Sequence, residues 1–153
     1  DLVSIPTLAK DFIIDEKQII RSLNAGATVI LLIVAALSED RLKELFKFAT
    51  RLGLEVLVET HNLSELDIAH RIGAKIIGVN NRNLTTFEVS LQTSLDLAPH
   101  FLPDRVYVSE SGIFTNEQAE LLAPYFHALL VGTALMQSED VAQKVKELSI
   151  DKG

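Results

Sequence analysis

Residues 72–82 read Ile72-Gly73-Ala74-Lys75-Ile76-Ile77-Gly78-Val79-Asn80-Asn81-Arg82. Three signals follow one another in this stretch. Gly73 suits the left-handed position that closes a helix, which a residue without a Cβ adopts with least strain. The run 75–79 has the Val/Ile content of a strand covered on both faces. Three polar residues then end the run at once.

The same phrase occurs twice more. Ala25-Gly26-Ala27 precedes an apolar run at 28–34, and Leu52-Gly53-Leu54 precedes one at 55–58. Further runs lie at 6–9, 105–108 and 128–131. Between them the apolar residues take helical spacing: Leu42, Leu45, Phe46, Ala49 and Leu52 share one face, as do Val141, Val145 and Leu148. Asp15, Ser38, Ser64, Ser90, Thr115 and Ser138 are the expected N-caps, Thr115 with Gln118 forming a capping box. Strand and helix alternate with short links, which predicts a parallel sheet with right-handed crossovers in one domain over 1–153. Six strand–helix units can be counted, whereas a closed barrel has eight. An open doubly wound sheet and a partial barrel both satisfy that spacing.

Composition narrows the function. A net charge of −7, with no Lys/Arg cluster, argues against a nucleic-acid surface. The longest apolar run, 29–37, is too short to span a bilayer, so the reading expects no membrane and a cytoplasmic protein. With 0 cysteines there is neither disulfide nor thiolate chemistry.

The polar groups that end the runs are the candidates for chemistry. If the sheet is a β/α barrel, the carboxyl ends of its strands form the face where such folds hold their sites. Lys10, followed by Asp11 and Phe12, is placed for proton transfer. Glu59 closes the run Val56-Leu57-Val58 as a candidate base, with an ordinary capping or ion-paired glutamate as the plain alternative. His61 with Glu59 is a conceivable metal pair, but no third ligand has recognisable spacing, and no metal is expected. Asn80, Asn81 and Arg82 suit hydroxyl and phosphate recognition, although asparagine also favours turns. Ser109-Glu110-Ser111-Gly112 and Gly132-Thr133 end the last two runs, where barrels commonly cradle phosphate on backbone N–H groups. The serines do not fit the G-x-S-x-G pattern of a nucleophile.

These motifs, in this order, resemble the indole-3-glycerol phosphate synthase family. The resemblance runs from Pro6-Thr7-Leu8-Ala9-Lys10-Asp11-Phe12 through Leu57-Val58-Glu59 and Val79-Asn80-Asn81-Arg82-Asn83-Leu84. It continues to Ser109-Glu110-Ser111-Gly112-Ile113 and Val131-Gly132-Thr133-Ala134-Leu135-Met136. It implies a (βα)8, or TIM, barrel that converts 1-(2-carboxyphenylamino)-1-deoxyribulose 5-phosphate to indole-3-glycerol phosphate, releasing carbon dioxide and water without a cofactor. On that resemblance Lys10 is the general acid, Glu59 a base, and Asn80 and Ser111 polar groups that hold substrate and carboxylates. Arg82, Glu110, Gly112, Gly132 and Thr133 contribute to substrate and phosphate binding, and Phe12, Leu31 and Leu84 wall the aromatic pocket.

One departure is large. The chain enters the family pattern at the third unit, so the resemblance implies a partial TIM barrel of units 3–8 with the first two missing. The expectation is therefore a fragment with little turnover by itself. Its open strand edges would pair two copies into a homo-oligomer. The competing readings are a non-catalytic association module that keeps a phosphate site, and another phosphate-binding barrel such as phosphoribosylanthranilate isomerase. The Cys and Asp pair expected of that isomerase is not recognisable here.

Overall fold

A computed structural model describes residues 3–150. Strands β1 (Leu8–Ala9), β2 (Val29–Ile33), β3 (Glu55–Thr60), β4 (Ile76–Asn80), β5 (Val106–Glu110) and β6 (Ala128–Leu130) form a 6-stranded sheet in chain order. The registers of β1 with β2, β2 with β3, and β5 with β6 are all parallel. The helices are α1 (Glu16–Asn24), α2 (Glu39–Arg51), α3 (Leu63–Arg71), α4 (Gln92–Leu97), α5 (Asn116–Leu122), α6 (Thr133–Met136) and α7 (Val141–Leu148). This is a partial TIM-barrel-like α/β fold, as the alternating pattern and the resemblance imply. Two compact units divide the chain, one ending at Ile77 and the other beginning at Gly78.

In the first unit, Ile30 to Ile33 and Val56 to Val58 are buried without alternation, so both faces of β2 and β3 are covered. α2 contributes Leu42, Leu45 and Ala49 to that layer. Burying an aliphatic side chain of this size stabilises by about 1.5–3 kcal/mol, which is why the unbroken runs become strands. Gly26, Gly53 and Gly73 have φ of +91°, +81° and +83°, the left-handed geometry expected after each helix.

The second unit is built around β5 and β6. Tyr107 is buried, its ring stacked on Phe101 at 3.6 Å between centroids, and its hydroxyl oxygen accepts the Leu102 N–H at 2.8 Å. Backbone pairing continues past the apolar residues, so Glu59, Thr60, Asn80, Ser109 and Glu110 lie inside the last turns of their strands rather than beyond them.

Several expected details differ. The N-cap of α3 is Asn62, not Ser64, because the Asn62 side chain accepts the Glu65 N–H at 3.0 Å. The N-cap of α7 is Asp140, not Ser138, for the same reason with Gln143 at 2.9 Å. Leu91, with no side-chain bond, stands at the start of α4, and Ser90 precedes it. Leu52 is the C-cap of α2 and 38% exposed, so it leaves the stripe that Leu42, Leu45 and Ala49 keep. On α7 only Leu148 is buried. Val141 and Val145 remain 51% and 45% exposed.

Candidate active site

The first unit brings three expected or neighbouring groups together at the carboxyl ends of β1 and β3. Lys10 follows β1, and its Nζ lies 3.8 Å from Oε2 of Glu59. The lysine side chain is 44% exposed and that of Glu59 only 2%, so a solvent-reachable ammonium faces a buried carboxylate. The β2–β3 register pairs Leu31 with Leu57 and Ile33 with Glu59. Leu31 therefore sits one pleat below the row of Glu59, in the apolar layer. Phe12 is 65% exposed.

His61 completes this cluster in a way the spacing did not foretell. Its Nε2 is 3.2 Å from Glu59 Oε1, and its Nδ1 is 2.9 Å from Glu65 Oε2. Burial of the ring disfavours its charge, but the adjoining Glu59 carboxylate and the hydrogen-bonded Glu65 carboxylate outweigh it. The histidine is raised to about 9. Glu65 is itself anchored at the start of α3, where it accepts the His61 N–H at 2.8 Å and the Asn62 Nδ2–H at 3.0 Å. The i, i+4 step from His61 to Glu65 was the available sequence signal. Among the described residues no group of three or more His, Asp or Glu side chains could hold a metal ion.

The second unit carries the remaining candidates. Asn80, at the end of β4, is buried, and its Oδ1 accepts the Arg82 N–H at 3.0 Å. Arg82 bridges Val89 in an antiparallel step, and its Nη1 reaches the Phe87 carbonyl at 3.4 Å, within its own loop. Leu84 lies in that loop, 37% exposed. Glu110 ends β5 and is buried.

Beside them runs a buried polar network. Asn81 Nδ2 donates to Ser109 Oγ and to the Ser111 carbonyl, both at 3.0 Å, and its Oδ1 accepts the Ser94 N–H at 3.1 Å. The hydroxyls of Ser94 and Ser109 meet at 2.8 Å. Asn81 also donates its own N–H to the Glu110 carbonyl at 2.8 Å. Ser94 is 13 residues from Asn81 and Ser109 is 28 away, so local sequence could not couple them.

This network holds Ser111 at φ +69°, an uncommon geometry for a residue with a Cβ, directly before Gly112 at φ +79°. A Cβ on Gly112 would meet Val89 Cγ1 at 2.5 Å. Gly112→Ala should therefore cost about 2–4 kcal/mol, from left-handed strain plus overpacking. Urea unfolding reads this directly, and Val89→Ala in the same chain should return part of the loss. A single variant as stable as the parent would contradict the packing. Gly132 differs: its φ is −121°, nothing lies within 4 Å of its Cβ position, and it is the N-cap of the one-turn helix that Thr133 begins.

Parallel strands that end in, or are followed at once by, lysine, carboxylate, amide and serine–glycine groups define a partial β/α-barrel protein with polar groups at its strand ends. The family model described as indole-3-glycerol phosphate synthase matches residues 1–148. The chain belongs to that family. It is 78% identical over 151 residues to the indole-3-glycerol phosphate synthase of Streptococcus mutans, covering 99% of this chain and 59% of the relative. Those of Streptococcus pneumoniae and Streptococcus gordonii are each 77% identical with the same coverage. The chain thus spans about 59% of the length of the curated relatives it matches. Among solved structures, 3-hexulose-6-phosphate synthase from Salmonella typhimurium superposes with a TM-score of 0.79 over 94% of this chain and 71% of its own. At 14% identity that likeness speaks for the fold alone.

Proposed function

We propose that this chain supplies the strand-end chemistry of an indole-3-glycerol phosphate synthase acting on a soluble sugar phosphate. The observation that carries the reading is the 3.8 Å approach of Lys10 Nζ to Glu59 Oε2 at the strand ends where the family motif falls. In the proposed sequence, the ring carbon bearing the carboxylate attacks the ketose carbon. Lys10 gives a proton to the carbonyl oxygen as its π electrons move there. The bond to the carboxylate then breaks, carbon dioxide leaves, and the electrons return to the ring. The new hydroxyl departs as water with one further proton, and Glu59 takes the proton lost from the adjoining carbon. Proton transfers of this kind contribute about 10²–10⁴-fold each.

Asn80 and Ser111 hold substrate hydroxyls in this reading. Gly112, Gly132 and Thr133 hold the phosphate, Arg82 lies at the rim of the site, Glu110 contributes to substrate binding, and Phe12, Leu31 and Leu84 flank the aromatic ring. In this reading neither a metal nor an organic cofactor takes part, and the protein works in the cytoplasm. Among the described residues no helix is long and apolar enough to cross a membrane.

The test is indole fluorescence formed from the substrate. It compares this chain alone with a chimera that adds the part of the Streptococcus mutans relative it does not match. The chimera should turn over and Lys10→Ala should abolish it, whereas full activity in Lys10→Ala would remove the lysine from the mechanism.

A second reading, association of two copies through strand edges, draws on the 51% and 45% exposure of Val141 and Val145 beside the last strand. Light scattering of this chain at micromolar concentration should give a dimer mass. A stable monomer would dispose of it.

A further inference from the structure

We infer that His61 is a positioning residue for Glu59: an imidazolium held between two carboxylates, it keeps Glu59 ionised and turns Oε2 toward Lys10. Its bearing on catalysis rests on the synthase reading of Glu59; the clamp itself does not.

The argument begins with donors and acceptors. An ionised carboxylate only accepts, and neutral imidazole has one donating nitrogen. Here both ring nitrogens lie within 3.2 Å of a carboxylate oxygen, Nε2 on Glu59 and Nδ1 on Glu65. Only the Nδ1–Glu65 contact has hydrogen-bond geometry; Nε2 faces Glu59 Oε1 as an ion-pair contact, and two carboxylates this near the ring favour its doubly protonated form. The raised pKa of His61, to about 9, agrees with that geometry and has the same cause. At neutral pH the ring is then a cation beside the buried carboxyl group of Glu59.

The clamp is rigid from its outer side. Glu65 is held by the His61 N–H and by Asn62 Nδ2, while Asn62 caps the same helix by accepting the Glu65 N–H. The start of α3 thus sets the ring, and the ring sets Oε1 of Glu59. The other oxygen, Oε2, is the one that faces Lys10 at 3.8 Å.

The charges around His61 are accounted for from each element packed on β3 and α3 within this unit. Glu59 comes from β3, Glu65 from α3, and Lys10 from the end of β1, beyond Glu59. The 34–36 turn is Val34, Ala35 and Ala36, and β2 is wholly aliphatic. On α2, Glu39 pairs with Arg71 and Arg41 with Glu16. A lone surface histidine would have none of this enclosure.

Two variants separate charge from shape. His61→Gln keeps hydrogen bonding and loses the cation, and Glu65→Gln loosens the outer post without touching Glu59. Nitrogen-resolved NMR of the imidazole in this chain should show both His61 nitrogens protonated at pH 7.5, with the titration midpoint lowered in Glu65→Gln. Carboxyl-carbon NMR should show the Glu59 midpoint raised by about one pH unit in His61→Gln, the sign expected when a neighbouring cation is removed.

In the chimera, the acid limb of the kcat/KM profile should move up by a similar interval, a change that mere loss of folded protein would not produce. A His61 ring with one bare nitrogen at pH 7.5, or an unmoved Glu59 midpoint in His61→Gln, overturns the proposal. Titrations that move as stated, in a chimera without turnover, support the clamp and overturn the synthase reading instead.

Discussion

Glu59→Gln lowers kcat of the chimera by about 10²–10⁴-fold, the range expected when a positioned proton acceptor is removed. The substitution preserves shape, which matters because Glu59 is 1% exposed, with its carboxyl group between Lys10 and His61. What disappears is the basic oxygen opposite Lys10. A glutamine has nearly the size and shape of glutamate, so the strand end keeps its form and KM should change far less than kcat. That pattern marks an interaction made in the transition state rather than in ground-state binding. The measurement is steady-state indole formation beside circular dichroism of the same preparations. If kcat fell by less than about threefold in a folded variant, Glu59 would be a structural ion-pair residue and not a base.

The second large effect falls on stability. Asn81→Leu should destabilise the second unit by about 3–5 kcal/mol, because leucine fills the space but bonds to nothing. Asn81 is 2% exposed, and its side chain satisfies the Ser94 N–H, the Ser109 hydroxyl and the Ser111 carbonyl. Each buried polar group left unmatched costs about 1–3 kcal/mol. Ser109 and Ser94 retain each other, so the sum stays below three full penalties. Urea unfolding followed by hydrogen exchange at Ser94 reads both the global and the local loss. A cost below about 1 kcal/mol would mean that water replaces the amide, and the turn at Ser111 would not depend on Asn81.

How far the sequence could be read varies by residue. Gly26, Gly53 and Gly73 were legible because one residue type answers one backbone demand, a positive φ after a helix. The strands were legible as apolar runs, but their ends were not. Pairing depends on backbone groups, so β3 continues through Glu59 and Thr60 although their side chains are polar. The caps of α3 and α7 were misplaced by two residues toward the helix in one case and away from it in the other. Several Asn, Ser and Asp side chains stand close together at these starts, and only bond direction chooses between them.

The candidate site divides along the same line. Lys10 and Glu59 were readable as strand-ending groups, and the family motif placed them on neighbouring pieces of one pattern. The tie from His61 to two carboxylates needed coordinates, because its meaning lies in which nitrogen faces which oxygen. Arg82 shows the opposite lesson: its motif suggests ligand recognition, yet its bonds to Asn80 and Phe87 and its bridge to Val89 stay within residues 80–89. Ser94 had no signal at all in a helix that looks ordinary.

Glu59 and Glu110 place two carboxyl groups inside the strand tips, where burial alone favours apolar residues. Where a whole buried ion pair is exchanged for well-packed apolar residues, folding is often unharmed or favoured, unlike the loss of the Asn81 amide, which strands its partners. Directed evolution that rewards only survival at high temperature would therefore drift toward sturdy, inert barrels, and a screen must reward product as well to keep these tips polar.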